Sequence, residues 1–397
     1  MRILCSAVLV FLACSGGNKS DNVIRFWQFW SDMNTKPVIE QIAAEFEAEN
    51  PGVKIEITDL TWANGHDKLV ISFAANDPPD IMELGSDWVA EFSSNGLLAE
   101  LESDLPENYL YPAVWENKLY GLPWLLDSRL LYFNLDLLEK AGAEFPSSWA
   151  ELESACEKIN RLDADLFGFG CNSAEKHRLY KKYLPFLWSN GGRILNDEGN
   201  ESELDSREAI EALEYYLGLC DCGVIESQRR LEEYFREGKI GFVISGGWLL
   251  RRLRANPPEF KYRLATFITP RGDTGRSFFG GEYIAVHSKS DKIDLARKFA
   301  EFLTTKVNSQ RLCDAAGFGF PPYLDLEISD PQKAIQARQL SYSMAAPPTP
   351  LWNDIEMDIE DALEAALYDH GTPEEIFKKM SETITEKLRS AGHANKK

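Results

Sequence analysis

The chain has 397 residues, too many for one ordinary core and suited to two or three lobes. Its 44% hydrophobic and 26% charged residues give the balance of a soluble globular protein, not a disordered or membrane-embedded one. A formal net charge of −21 argues against nucleic acid as a partner, and it disfavours strongly anionic ligands unless a local basic pocket overrides it.

The first residues differ from the rest. Arg2 gives a positive start and Ile3 to Ala13 form an apolar run too short to span a bilayer, so the segment reads as an export signal. Phe11-Leu12-Ala13 ahead of Cys14 resembles a bacterial lipobox, with Phe11 where Leu is usual. Cys14 would then be the acylated first residue of the mature protein, the alternative being ordinary cleavage nearby. Residues 15–22 are small and polar, a flexible tether.

Val23 to Trp30 reads as an apolar strand. Pro37 to Glu49 carries Val38, Ile39, Ile42 and Phe46 at helical spacing, stopped by Asn50-Pro51-Gly52. Val53, Ile55 and Ile57 alternate as a second strand, His66 to Ala75 is helical, and Ile81 to Leu84 is a short buried strand. This alternation predicts an α/β sheet. Ser148-Trp149-Ala150-Glu151 fits a capping box, and amphipathic helices cover Ser206–Leu219, Asp294–Thr304, Asp354–Tyr368 and Pro373–Leu388. Five further cysteines, Cys156, Cys171, Cys220, Cys222 and Cys313, leave at least one unpaired, with the connectivity open. Cys220 and Cys222 lack a nearby His or second pair at zinc spacing, which favours structural packing; no metal or cofactor is expected.

Residues 73–88 (FAANDPPDIMELGSDW), 120–142 (YGLPWLLDSRLLYFNLDLLEKAG) with the following PSSWAEL, 238–248 (GKIGFVISGGW) and 278–290 (FFGGEYIAVHSKS) with DLARKFAEFLTT resemble, in this order, the family 1 extracellular solute-binding proteins, the maltose-binding-protein-like group. The resemblance implies an α/β fold of two discontinuous lobes joined by crossing hinge strands, periplasmic binding protein-like, type II. The lobes would be 23–129 plus 278–322 and 130–277 plus 323–390, with a tail at 391–397. It also implies a monomer that captures a neutral sugar or oligosaccharide and delivers it to the permease subunits of an ABC importer. Such a protein would be exported, held to the membrane through lipid only, and not an enzyme.

Sugar faces favour flat aromatics, and sugar hydroxyls favour carboxylates and amides. Trp124 follows Gly121-Leu122-Pro123, Trp248 follows Gly246-Gly247, Trp62 follows the second strand with His66 one turn on, and Trp30 ends the first strand. Trp352 and Trp188 complete the candidate platforms, while Trp27, Trp88 and Trp149 read as packing. Asp127, Glu83 and Glu282 are the favoured polar anchors, then Asp80, Ser86 and Arg129; Gly247 and Gly281 would let backbone approach a ligand. Asp80 reads equally as a turn cap, His66 as a packing residue, and Arg129 as a hinge partner of Asp127. Trp124, Asp127 and Trp248 are expected to converge on one gap between the lobes. A glycosidase using Asp77, Asp80 or Glu83 is the rival from another class. The same fold could also serve a signalling receptor or bind a polyol or glycerol phosphate, for which Arg129 is the one obvious cation.

Overall fold

The computed structural model describes residues 22–173, 175, 177–323 and 325–394. The export signal, Cys14, nearly all of the tether and the end of the tail lie outside the described residues. In chain order the strands are β1 (Val23–Gln28), β2 (Lys54–Asp59), β3 (Ile81–Gly85), the hairpin β4 (Val114–Trp115) and β5 (Lys118–Leu119), β6 (Leu122–Ser128) and β7 (Leu130–Asn134). There follow β8 (Phe167–Asn172), β9 (Gly223–Glu226), β10 (Ile240–Ser245), β11 (Tyr262–Ala265), β12 (Ser277–Val286) and β13 (Ser343–Met344), with helices between most of them.

Two mixed sheets result. In the first, β2, β1 and β3 run parallel, β12 adds antiparallel to β3, and β6 pairs with β12. The second has the order β11-β7-β10-β8-β9. β3, β6, β7 and β10 are buried along their whole lengths, because helices cover both faces of each sheet and leave no solvent side to alternate with.

The chain changes sheet at a single residue, Arg129, between β6 and β7. It returns between Ala265 and Ser277. After Phe320, which bridges Leu126, the helix Pro331–Ser341 packs at the joint against β6, β11 and β12. The last two helices, Trp352–Leu367 and Pro373–Ala394, pack back onto the second lobe. Among the described residues no helix is long and apolar enough to cross a membrane.

The open cysteine pairing resolves into Cys156–Cys222 and Cys171–Cys220, with Cys313 buried and free. The first bond ties helix Trp149–Asn160 to the residue before β9; the second ties β8 to helix Arg207–Asp221. They close loops of 66 and 49 residues, and bonds of that span contribute about 2–5 kcal/mol each. Cys220 and Cys222 are therefore committed to the fold and not to a metal.

A protein comprising residues 22–397 should expose one thiol to a thiol reagent when unfolded without reductant, and five after reduction. Three before reduction would mean that one bond is missing. Reduction should lower Tm by roughly 5 °C or more.

Candidate ligand-binding cleft

Parallel strands place ligands at their carboxyl ends, where loops diverge over the sheet edge. Here the loops after β1, β2 and β3 meet the second lobe around a cavity of about 980 Å³, at the upper end of the range for small-molecule sites. Its opposite wall comes from Arg129 at the crossover, the helices Tyr180–Ser189 and Gly247–Ala255, and Asn353 and Met357 of helix Trp352–Leu367.

Two indoles face the cavity from different lobes. Trp62 lies stacked on Phe29, with centroids 4.2 Å apart and planes 16° apart, and it remains 47% exposed. Trp248 is fixed from behind: its Nε1 donates to Glu232 Oε1 at 2.6 Å. Glu232, only 2% exposed, also accepts from Ser245 Oγ and Gln228 Nε2 at 2.8 Å and from Arg252 at 2.5 Å. A carboxylate with four donors cannot turn, so the platform is pre-organised. The Arg129 guanidinium lies between two rings, 4.7 Å from the Trp248 centroid and 5.6 Å from that of Phe278.

Asp127 accepts the Gly247 N–H at 2.9 Å. Burial pushes its carboxyl up to about 6, against the lowering pull of Arg129 and of that N–H. Burial and the charge of Asp127 push Glu282 up to about 8. The walls differ in sign. From the first lobe come Asp32, Asp67, Asp87, Asp127 and Glu282, with no Lys or Arg. The crossover and second lobe supply Arg129, Arg178, Lys181, Lys182, Arg251 and Arg252 against the single acid Glu175.

Direct contacts bridge the two walls. Asp87 accepts from Tyr180 Oη at 3.1 Å and pairs with Lys181 Nζ at 3.2 Å. Burial raises the Asp87 carboxyl, but Lys181 and the hydrogen bonds outweigh it and leave it below its ordinary value. Glu91 holds His66 at 2.8 Å and accepts from Asn353 Nδ2 at 2.6 Å. Burial lowers the His66 pKa, and Glu91 more than reverses that. The lobes are thus closed on one another.

Of the residues singled out from sequence, Trp30, Trp62, His66, Ser86, Asp127, Arg129, Trp248, Gly281 and Glu282 line the cavity. Six do not. Trp124 is 0% exposed and packs on Phe26 in the first-lobe core. It sits where the register of β6 against β12 slips, Glu282 pairing with Leu125 and Tyr283 with Pro123, so simple alternation from Asp127 does not hold there. The expected three-residue convergence reduces to Asp127 and Trp248. Trp352 is 1% exposed and lies edge-on to Tyr180; its neighbour Asn353 faces the cleft instead.

Glu83 is sealed beneath the floor, its Oε2 accepting the Phe29 N–H at 2.7 Å. Burial and the Glu282 charge raise its carboxyl well above the usual range. Asp80 sits just before β3, at the end away from the cleft, where it binds the Arg25 N–H at 2.9 Å and Ser290 Oγ at 2.6 Å. Asp77 pairs with Arg25 at 2.6 Å in the same place, so none of the acids proposed for a glycosidase lines the cleft. Gly247 is required by the joint and not by a ligand: a Cβ there would stand 2.9 Å from Phe318 Cβ. Trp188 stands behind Phe278, with centroids 6.4 Å apart, and it is Phe278 that lines the cavity.

Trp88, read as packing, also lines the cavity. Sequence reasoning missed Arg178, Lys181 and Lys182: the two lysines start helix Tyr180–Ser189 and Arg178 lies in the loop before it, so no single local period links the three. The loop carrying Arg178 is anchored by Glu360, which accepts the N–H groups of His177, Arg178 and Leu179 at 3.1, 2.8 and 3.1 Å.

Glu282 carries a pH dependence. The fold holds its carboxyl neutral at pH values where the unfolded chain has lost the proton, so folded protein binds more protons and stability falls with rising pH. Relative to Glu282→Gln, wild type should lose Tm progressively between pH 4.5 and about 8. A difference that does not change with pH would show that Glu282 ionises normally.

Residues 31–310 match the profile of the bacterial extracellular solute-binding proteins. A binding protein from Brucella abortus is 28% identical over 87% of this chain and 88% of its own. The galactooligosaccharide-binding protein of Bacillus subtilis is 25% identical over 99% and 98%. Among solved structures, an ABC transporter solute-binding protein of Thermotoga lettingae, bound with alpha-D-tagatose, superposes with a TM-score of 0.79. It is 25% identical and covers 92% of this chain and 100% of that one. With that match over most of its length and two α/β lobes closing on a shared cleft, the chain belongs to the bacterial extracellular solute-binding protein family.

Proposed function

We propose that this protein is the exported, lipid-anchored receptor of an ABC importer, capturing a sugar or oligosaccharide between its lobes. The observation that carries the reading is the pair of indole platforms on opposite walls, Trp62 and Trp248, with the polar groups of Asp127, Arg129, Ser86 and Glu282 around them. Relatives support the ligand class: one is a galactooligosaccharide-binding protein and another was bound with alpha-D-tagatose. Stacking a sugar face on each indole removes ~80 Å² of apolar surface, about 2 kcal/mol per platform. With a few charge-assisted hydrogen bonds this supports roughly micromolar binding after the association cost.

A ligand that touches both walls binds the closed arrangement better than the open one and shifts the population toward it. Permease subunits that recognise the closed form would then receive loaded protein. Cys14 acylation would keep the receptor at the membrane surface, and the reading assigns no turnover of the sugar.

A thermal-shift screen over a sugar panel, followed by calorimetry, tests this. At least one sugar should raise Tm by mass action and bind one to one, with no product after prolonged incubation. Trp248→Ala should weaken that sugar by about 30-fold, the loss of one platform. No stabilisation by any mono- or oligosaccharide would overturn the reading, and product release would replace it with a glycosidase.

A further inference from the structure

The net charge of −21 points to an uncharged ligand, but the fold assembles a local basic site that the overall charge conceals. Three of the second-lobe cations differ from the others. Lys181 is engaged by Asp87, Arg252 by Glu232, and Arg251 by the Ala316 carbonyl at 3.0 Å. Arg129 and Arg178 both line the cavity, and among the described residues no acceptor engages either guanidinium. Lys182, 3% exposed, spends one N–H on the Ile244 carbonyl at 2.9 Å and keeps two. Asp127, whose charge acts on Arg129, accepts the Gly247 N–H at its Oδ2.

The three cations are close enough to oppose one another. Burial, then Arg129 and Arg178, depress the Lys182 ammonium well below its usual value, with Glu232 and Glu175 opposing; burial lowers Arg129 and Arg178 adds to it, against the charges of Asp127 and Glu282. Cations set together with no carboxylate bonded to them are unfavourable on their own, the more so where one is buried. Neutral hydroxyls return little of that cost, whereas an anionic oxygen would return much of it through charge-assisted bonds to Arg forks.

We propose that the ligand is an acidic saccharide, whose anionic group, a sugar carboxylate or a phosphate ester, docks on Arg129, Arg178 and Lys182. Its uncharged hydroxyl edge faces Asp127 and Glu282 on the other wall, which fixes its direction in the cleft. This rests on the sugar reading above and narrows its ligand class.

Matched panels separate the possibilities. Calorimetry of the whole mature protein would compare hexoses and short oligosaccharides of the gluco, galacto and manno series with their uronic acids and 6-phosphates. An acidic member should bind at least ~10-fold tighter than its neutral parent, the advantage shrinking as NaCl rises from 50 to 500 mM. Whether the uronate or the phosphate leads identifies the anion. Arg178→Gln, at an exposed position where folding is not at risk, should cut the acid-to-neutral ratio by about 10-fold; Arg129→Lys, which keeps charge but loses the fork, should cut it as well. Neutral sugars binding as tightly as their acids, or a ratio untouched by Arg178→Gln, would overturn the inference and leave sugar capture standing. If no sugar of either kind binds, both readings fall.

Discussion

One hydrogen bond organises the joint on which everything else depends. Asp127 leaves the end of β6 in the first sheet and accepts the N–H of Gly247, at the first turn of a helix in the second lobe. Because a helix start offers unpaired N–H groups and a positive end of its dipole, a carboxylate is favoured there. The fit leaves no room for a side chain, since a Cβ at Gly247 would also stand 3.1 Å from Asp127 Oδ1. Arg129 lies two residues past Asp127 and Trp248 one past Gly247, so this contact sets where both meet: the guanidinium over the indole at 4.7 Å. The nearby Tyr132 hydroxyl reinforces it, donating to the Gly246 carbonyl at 2.7 Å.

Around that joint the two lobes carry opposite signs toward each other. Closure therefore has an electrostatic component, expressed in the Asp87–Lys181 pair and in the Asn353 amide donating to Glu91. A ligand adds to this only through what it contacts on both walls at once. The polarity also gives the cleft a direction, which a pocket lined by hydroxyls and amides alone would lack.

Rigidity is placed where recognition needs it. Buried Glu232 locks Trp248, and Glu360 ties down the loop before helix Tyr180–Ser189. Burial and the neighbouring Glu356 charge raise Glu360 to about 7, so the anchor itself has a proton to lose near neutral pH. The disulfides lie in the β8–β9 region of the second lobe, away from the residues that line the cavity. They stabilise the lobe without constraining the joint.

The fold class was legible from sequence, because strand-helix alternation and the ordered segments are local patterns that survive without coordinates. Trp62, Trp248, Asp127 and Glu282, singled out from sequence, do line the cavity. Trp124 was misread on proximity to a turn; it sits at a register slip between β6 and β12, which no strand period in the sequence reveals. Asp80 and Ser86 lie at opposite ends of one short strand, and only strand direction in the sheet decides which end meets the other lobe. Trp352 and Asn353 exchange roles by one step of helix rotation, which depends on how that helix docks. The cationic site lay beyond any local pattern. Arg129, Arg178 and Lys182 come from a crossover, a loop and a helix, and side chains so far apart in sequence become neighbours only when two sheets close around a joint.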